Sequence, residues 1–145
     1  MKETLQFISV CSEAYQAELA LRNELLRKPI GLDLYCEDLS QEDRDWHIGA
    51  FVGGKLIGCL VLTPLNDREI KMRQVAVKED YQGLGIGRRL VEYAELFARE
   101  KGYSAIVLNA RKSAIGFYEK LGYKVVGGEL IEVGIPHFRM AKKIL

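Results

Sequence analysis

The chain has 145 residues, 48% hydrophobic and 28% charged, which supplies apolar material for one folded domain and too little charge bias for disorder. Its net charge of +1, from 21 basic and 20 acidic side chains, gives no global attraction to nucleic acid or to an anionic membrane. Three cysteines without CxxC spacing and only two histidines, His47 and His137, argue against a disulfide framework and against a metal centre.

Cys11, Cys36 and Cys59 are therefore expected to be small buried or half-buried side chains. MKETLQFISV, the first ten residues, has no signal-peptide apolar core, and no apolar run reaches membrane-spanning length, so a cytoplasmic protein is expected. Ser12 to Gly31 reads as a helix, with a serine start, apolar residues at helical spacing, and Pro29 and Gly31 as its stop. The polar stretch LYCEDLSQEDRD then reads as a surface loop or short helix. WHIGAFVGGK turns at Gly53-Gly54 into LIGCLVLTPL, a hairpin signal, and IKMRQVAV alternates Arg73, Val75 and Val77 against Met72, Gln74 and Ala76.

A glycine stretch, YQGLGIGRRL, leads into a helix with Leu90, Val91, Ala94, Phe97 and Ala98 on one face and Gly102 as its stop. YSAIVLNA suits a buried strand, KSAIGFYEKLG a short helix closed by Gly122, and YKVVGGELIEVG and PHFRMAKKIL two more strands. One domain over residues 1–145 is expected, of the α/β class, with a mixed, mostly antiparallel central sheet of six or seven strands and helices on both faces.

Strand, glycine turn and helix start together form an anion-binding geometry, because unpaired N–H groups and the helix dipole both favour negative charge. The dinucleotide fingerprint needs a third glycine where Arg88 stands, and the motif lies mid-chain after a hairpin. The nucleotide P-loop ends in Gly-Lys-Ser/Thr, where this chain has Gly87-Arg88-Arg89. A purely flexible turn rarely needs three alternate glycines.

VAVKEDYQGLGIGRRLV resembles the acyl-CoA motif of the GNAT superfamily of N-acetyltransferases, Gln/Arg-x-x-Gly-x-Gly/Ala, with Gln82, Gly85 and Gly87 in register. NARKSAIGFYEKLGYKVVG is similar to the superfamily's later motif, a short helix carrying Phe-Tyr before a Leu-Gly-Tyr turn. Separation and element order agree as well, from Leu5 to Leu145.

The resemblance implies a splayed, V-shaped cleft for acetyl-CoA as acyl donor, without a metal. Val75, Ala76 and Val77 would pair with its pantetheine amides as an added strand does. Gln82, Gly83, Leu84, Gly85, Ile86, Gly87 and Arg88 would surround its pyrophosphate, and Asn109, at the end of the next strand, would also contact the cofactor. An acceptor amine would attack the thioester directly, with an N–H near Val75 on the oxyanion and Tyr118 giving a proton to the thiolate. Many relatives place a glutamate on the strand before the glycine loop, whereas IKMRQVAV has none in its middle. The base is then His137, Glu69 at the strand's start, or a water chain.

Acceptor recognition would fall to the first helix and its loop, where Arg22, Arg27, Glu37 and Asp38 offer charge. The expected partner is a primary amine, small molecule or peptide, with no nucleic acid and no membrane; a homodimer is allowed. Two alternatives stand beside this reading, a CoA-binding sensor without turnover and an acyltransferase for a longer acyl chain.

Overall fold

A computed structural model describes residues 2–145. In chain order it comprises β1 (Thr4–Ile8), α1 (Glu13–Leu26), β2 (Trp46–Val52), β3 (Lys55–Pro64), β4 (Glu69–Val77), α2 (Ile86–Glu100), β5 (Ala105–Arg111), α3 (Ile115–Lys120), β6 (Lys124–Glu132) and β7 (Ile135–Lys143). The seven strands form one mixed sheet in the order β1-β2-β3-β4-β5-β7-β6. Pairing is antiparallel at β1–β2, β2–β3, β5–β7 and β6–β7, and parallel at β4–β5. The parallel ladder holds three pairs, Glu69↔Ala105, Ile70↔Ile106 and Lys71↔Val107, and ends there although β4 runs on to Val77.

The chain divides into two compact units, residues 1–63 with 74–94, and residues 64–73 with 95–145. In the first, Ile8, Tyr15, Leu19, Leu34 and Phe51 form one apolar cluster, and Leu21, Cys59 and Ala76 another. Each large side chain so buried stabilises the fold by about 1.5–3 kcal/mol. α1 starts on Ser12 as expected, but its hydroxyl donates back to the Ser9 carbonyl at 2.6 Å instead of capping the helix. The helix also ends earlier than its sequence pattern suggests, at Leu26. Pro29 and Gly31 (φ +76°) shape a separate 3-10 turn, Lys28–Ile30.

In the second unit the β6–β7 hairpin turns at Val133-Gly134, both with positive φ, and β7 lies next to β5 from Ala105↔Lys143 to Arg111↔His137. Glu95 is buried beneath it, bound by the Tyr123 hydroxyl at 2.9 Å and by Lys142 Nζ at 3.0 Å.

One strand lies outside the elements read from the sequence, and one sequence expectation needs correction. β1 lies in a segment that shows no strand pattern, because only Ile8 of its five residues is buried. Cys11 and Cys36 are exposed free thiols, since both sit in turns, and only Cys59 is buried. Among the described residues no helix is long and apolar enough to cross a membrane.

Candidate active site

The glycine stretch belongs to the first unit. Its approach is fixed by Lys78 N donating to the Ile57 carbonyl at 2.8 Å, and by Gln82 Nε2 donating to the Val77 carbonyl at 2.8 Å. Gly83 (φ +79°) and Gly85 (φ +82°) are left-handed, a conformation that costs other residues about 1–2 kcal/mol. A Cβ on Gly83 would meet no protein atom within 4 Å, so its backbone is bare toward open space. Gly87 lies within the first turn of α2 and needs no such φ. The side chains between the glycines diverge, with Ile86 anchored in the core at 3% exposure and Leu84 standing out at 60%.

The first turn of α2 contains no acid, yet Arg88 and Arg89 follow at once. A cation there opposes the helix dipole by roughly 0.3–1 kcal/mol. Arg89 is compensated by an ion pair with Glu3 and donates to the Leu84 carbonyl at 3.0 Å. It borders a cavity of about 450 Å³ that Glu3, Val52, Tyr81, Leu84 and Ile86 also line. The Arg88 side chain remains 55% exposed, with Glu92 4.0 Å away as its salt-bridge partner. Bare glycine backbone, a helix start without an acid and a solvated arginine are together chemically suited to an anion.

The second unit holds the other chemical groups. Tyr118 is buried on α3, its ring 5.8 Å from that of Tyr123, and burial raises its phenol well above the ordinary value of 10. His137 is buried on β7 with Nδ1 3.0 Å from the Ile135 carbonyl. A carbonyl only accepts, so Nδ1 carries the proton and, in the neutral ring, Nε2 holds the lone pair. Asn109 on β5 donates Nδ2 to Glu132 at 2.9 Å, while its buried Oδ1 has no partner among the described residues. Glu69 is the first residue of β4, and Asn66 Nδ2 in the preceding turn donates to its carboxylate at 3.1 Å.

The four acceptor candidates are placed differently from one another. Arg27 and Glu37 pair at 2.6 Å, and Asp38 is exposed, its carboxyl held below the usual range by the Ser40 side chain and then by the Ser40 N–H. Arg22 is 1% exposed and belongs to a buried ionic network. Its Nη1 lies 2.8 Å from both Glu18 and Glu42, its Nη2 2.8 Å from Glu42, and its Nε donates to Gln74 at 3.1 Å.

Tyr15 donates to Glu42 at 2.8 Å, and His47 completes the network with Nδ1 2.8 Å from Glu18 and Nε2 2.8 Å from the Glu42 carbonyl. With Glu18 ionised both partners of His47 are acceptors, so below its folded pKa the ring is an imidazolium donating from both nitrogens. Burial lowers its pKa, but the Glu18 bond and charge, aided by Glu42, outweigh that and hold it above 6.5. Two cations then balance two carboxylates. Glu18, Glu42 and His47 place side-chain atoms within 4.8 Å of one another, but both carboxylates are engaged by Arg22 and both ring nitrogens of His47 already face acceptors.

Sequence comparison matches residues 12–123 to the model of the acetyltransferase (GNAT) family. The chain belongs to the GNAT family. Its relatives include an uncharacterized N-acetyltransferase of Bacillus subtilis, YjcF, 31% identical over 102 residues, 70% of this chain and 72% of that one. A crystal structure of a Lactobacillus plantarum protein named for N-acetyltransferase activity superposes with a TM-score of 0.87 at 28% identity, covering 100% of both chains. An aminoglycoside 6'-N-acetyltransferase complexed with coenzyme A shares the fold, with a TM-score of 0.82, 20% identity, and 98% and 97% coverage. The chain spans about half the length of the first curated relatives it matches.

Within this GNAT chain, sequence reasoning missed Glu18, Glu42 and His47. Their one local signal is the Glu18–Arg22 spacing of four on a helix; the rest requires α1, the 3-10 turn Glu42–Arg44 and β2 to meet.

Proposed function

We propose that this GNAT chain transfers an acetyl group from acetyl-CoA to a primary amine, a small molecule or a peptide, by direct attack on the thioester. The observation that carries this reading is the loop from Gln82 to Arg88, with two left-handed glycines, no acid in the following helical turn and a solvated arginine. Such a loop suits a pyrophosphate. Two further observations fit the same ligand. The orphaned Asn109 Oδ1 suits an amide N–H donor, and the β4 backbone beyond Lys71 has no ladder partner on β5.

Acetyl-CoA supplies an activated carbonyl, and the residues supply positioning and proton handling. Val75 N–H is assigned to the developing oxyanion, where one such donor is worth about 2.7–4 kcal/mol. A lysine-like amine with pKa about 10.4 costs roughly 4.6 kcal/mol to neutralise at pH 7, so the base matters. His137 Nε2 is assigned that role, because Glu69 is engaged by Asn66 in the preceding turn.

Tyr118 is assigned to the departing thiolate. Even an ordinary phenol is a weaker acid than a thiol by about 1.5 pKa units, and burial widens that gap. Tyr118 therefore acts mainly as a hydrogen-bond donor to the sulfur, with water completing the transfer. Asp38, exposed and held ionised, is the group assigned to draw a cationic amine toward the protein.

The test is thiol release from acetyl-CoA against spermidine, lysine amide and a lysine-containing peptide. Release with one of them, and none with amine or protein omitted, is the expected result. Calorimetric binding of acetyl-CoA without release on a broad amine panel would instead identify a sensor.

A further inference from the structure

Among the described residues only Gln74 and Val133 are non-glycine residues with positive φ. Val133 sits in the β6–β7 turn, which accounts for its φ of +48°. Gln74 has a φ of +57° in the middle of β4, where no turn requires it. Holding it there costs on the order of 1–3 kcal/mol.

Two contacts hold it. Arg22 Nε donates to its side-chain oxygen at 3.1 Å, and the Cys59 thiol donates to its backbone carbonyl at 3.8 Å. Both anchors are rigid. Arg22 is clamped by Glu18 and Glu42, and Cys59 is 0% exposed on β3. Burial raises the thiol far above its ordinary range, so it remains a donor.

The carbonyl of Gln74 and the N–H of Val75 belong to one planar trans peptide and point in opposite directions. Fixing the carbonyl on Cys59 therefore fixes the direction of the Val75 N–H. We propose that Gln74 is a positioning residue for acetyl transfer, whose left-handed turn, clamped by Arg22 and Cys59, aims the Val75 N–H at the thioester oxygen. This rests on the acetyltransferase reading and on the role given there to Val75. The buried ionic network is then a scaffold for one peptide plane, and Arg22 acts through Gln74 instead of touching the acceptor.

The test compares Gln74→Leu, which loses the acceptor for Arg22, with Gln74→Glu, which keeps it. Gln74→Gly adopts the same φ without strain and secures a folded variant lacking the anchor. Amide resonances are followed on adding acetyl-CoA or CoA, since only the former carries the carbonyl. Turnover is read by thiol release with the amines above.

In the wild type, acetyl-CoA and not CoA should shift the Val75 amide downfield. Gln74→Leu and Gln74→Gly should lose that shift and about ten-fold in kcat, with acetyl-CoA affinity within about two-fold, and Gln74→Glu should recover both. A wild-type shift that persists with full kcat in Gln74→Leu overturns the proposal alone. A wild-type Val75 amide that ignores bound acetyl-CoA overturns the oxyanion assignment and the proposal with it.

Discussion

The charge on His47 makes stability depend on pH in a defined direction. Its ring is 1% exposed, and both nitrogens lie 2.8 Å from acceptors. The folded pKa is held above the unfolded value of about 6.5. The stabilisation is thus complete below pH 6.5 and is lost as pH rises through the folded pKa. Above it, one ring nitrogen presents a lone pair to an acceptor and Glu18 faces a neutral ring. An unmet buried polar group costs about 1–3 kcal/mol, which for this chain length is roughly 3–10 °C in Tm.

Thermal melts from about pH 6 to about pH 9 should show that decline in the wild type. His47→Gln should be destabilised by up to about 3–5 kcal/mol at the acid end, because buried Glu18 loses one of its two cationic partners and keeps only Arg22. Its curve should be flatter, so the gap between the two proteins narrows as pH rises. Titration of groups remote from His47 is common to both proteins and cancels in the gap. A gap that stays constant or widens would mean that the folded imidazole is neutral, and the charge balance argued above would fail.

Tyr118→Phe should lower kcat by about 10²-fold and leave acetyl-CoA affinity unchanged; undiminished thiol release would remove its role at the sulfur. Gly83→Val meets no protein atom, so its folding cost is confined to backbone strain of about 1–2 kcal/mol. Acetyl-CoA affinity by calorimetry should fall strongly in that variant, and a normal Kd would refute the phosphate cradle. Arg88→Ala should weaken acetyl-CoA binding and flatten its salt dependence, since its guanidinium is solvated at a helix start. Asn109→Leu should cost about 1–3 kcal/mol of acetyl-CoA affinity if Oδ1 accepts a pantetheine N–H, and an unchanged Kd would detach it from the ligand.

Features written into contiguous residues were legible in the sequence. Ile70, Met72 and Ala76 alternate and are buried on one face of β4, and Leu90, Val91, Ala94 and Ala98 are buried along one face of α2. The Gly53-Gly54 hairpin and the glycine loop are likewise local, because positive φ leaves glycine as the obvious residue. β1 was illegible because an edge strand with one buried residue carries no period of two.

At the candidate site the limit was different. Arg22 and Arg27 look like solvated helix charges until Glu42 and Glu37 are brought to them from outside the helix. His47 is one polar residue in an apolar strand, and nothing nearby in sequence announces its acceptors. Gln74 looked like an ordinary strand residue because its pattern of alternation is intact; only its φ departs.

The two units solve a similar problem with buried charge. In the first, Glu18 and Glu42 hold Arg22, which reaches Gln74 on β4. In the second, Glu95 accepts from Tyr123 and Lys142, and Lys142 also donates to the Leu121 carbonyl at 2.8 Å. That bond ties down the turn after α3, whose Tyr123 N–H donates to the Tyr118 carbonyl at 3.0 Å. The first network therefore ends on the side chain of Gln74, which precedes Val75, and the second on the backbone of the turn that follows Tyr118, the two residues assigned chemical roles. Apolar residues of similar volume would stabilise such sites equally well or better, whereas ion pairs fix direction. Direction is what hydrogen bonds to a developing oxyanion and thiolate require, since their strength falls steeply with misalignment. Under the proposed mechanism the FYEKLGY motif would combine two roles in one segment, with Tyr118 assigned to the thiolate and Tyr123 anchored on Glu95.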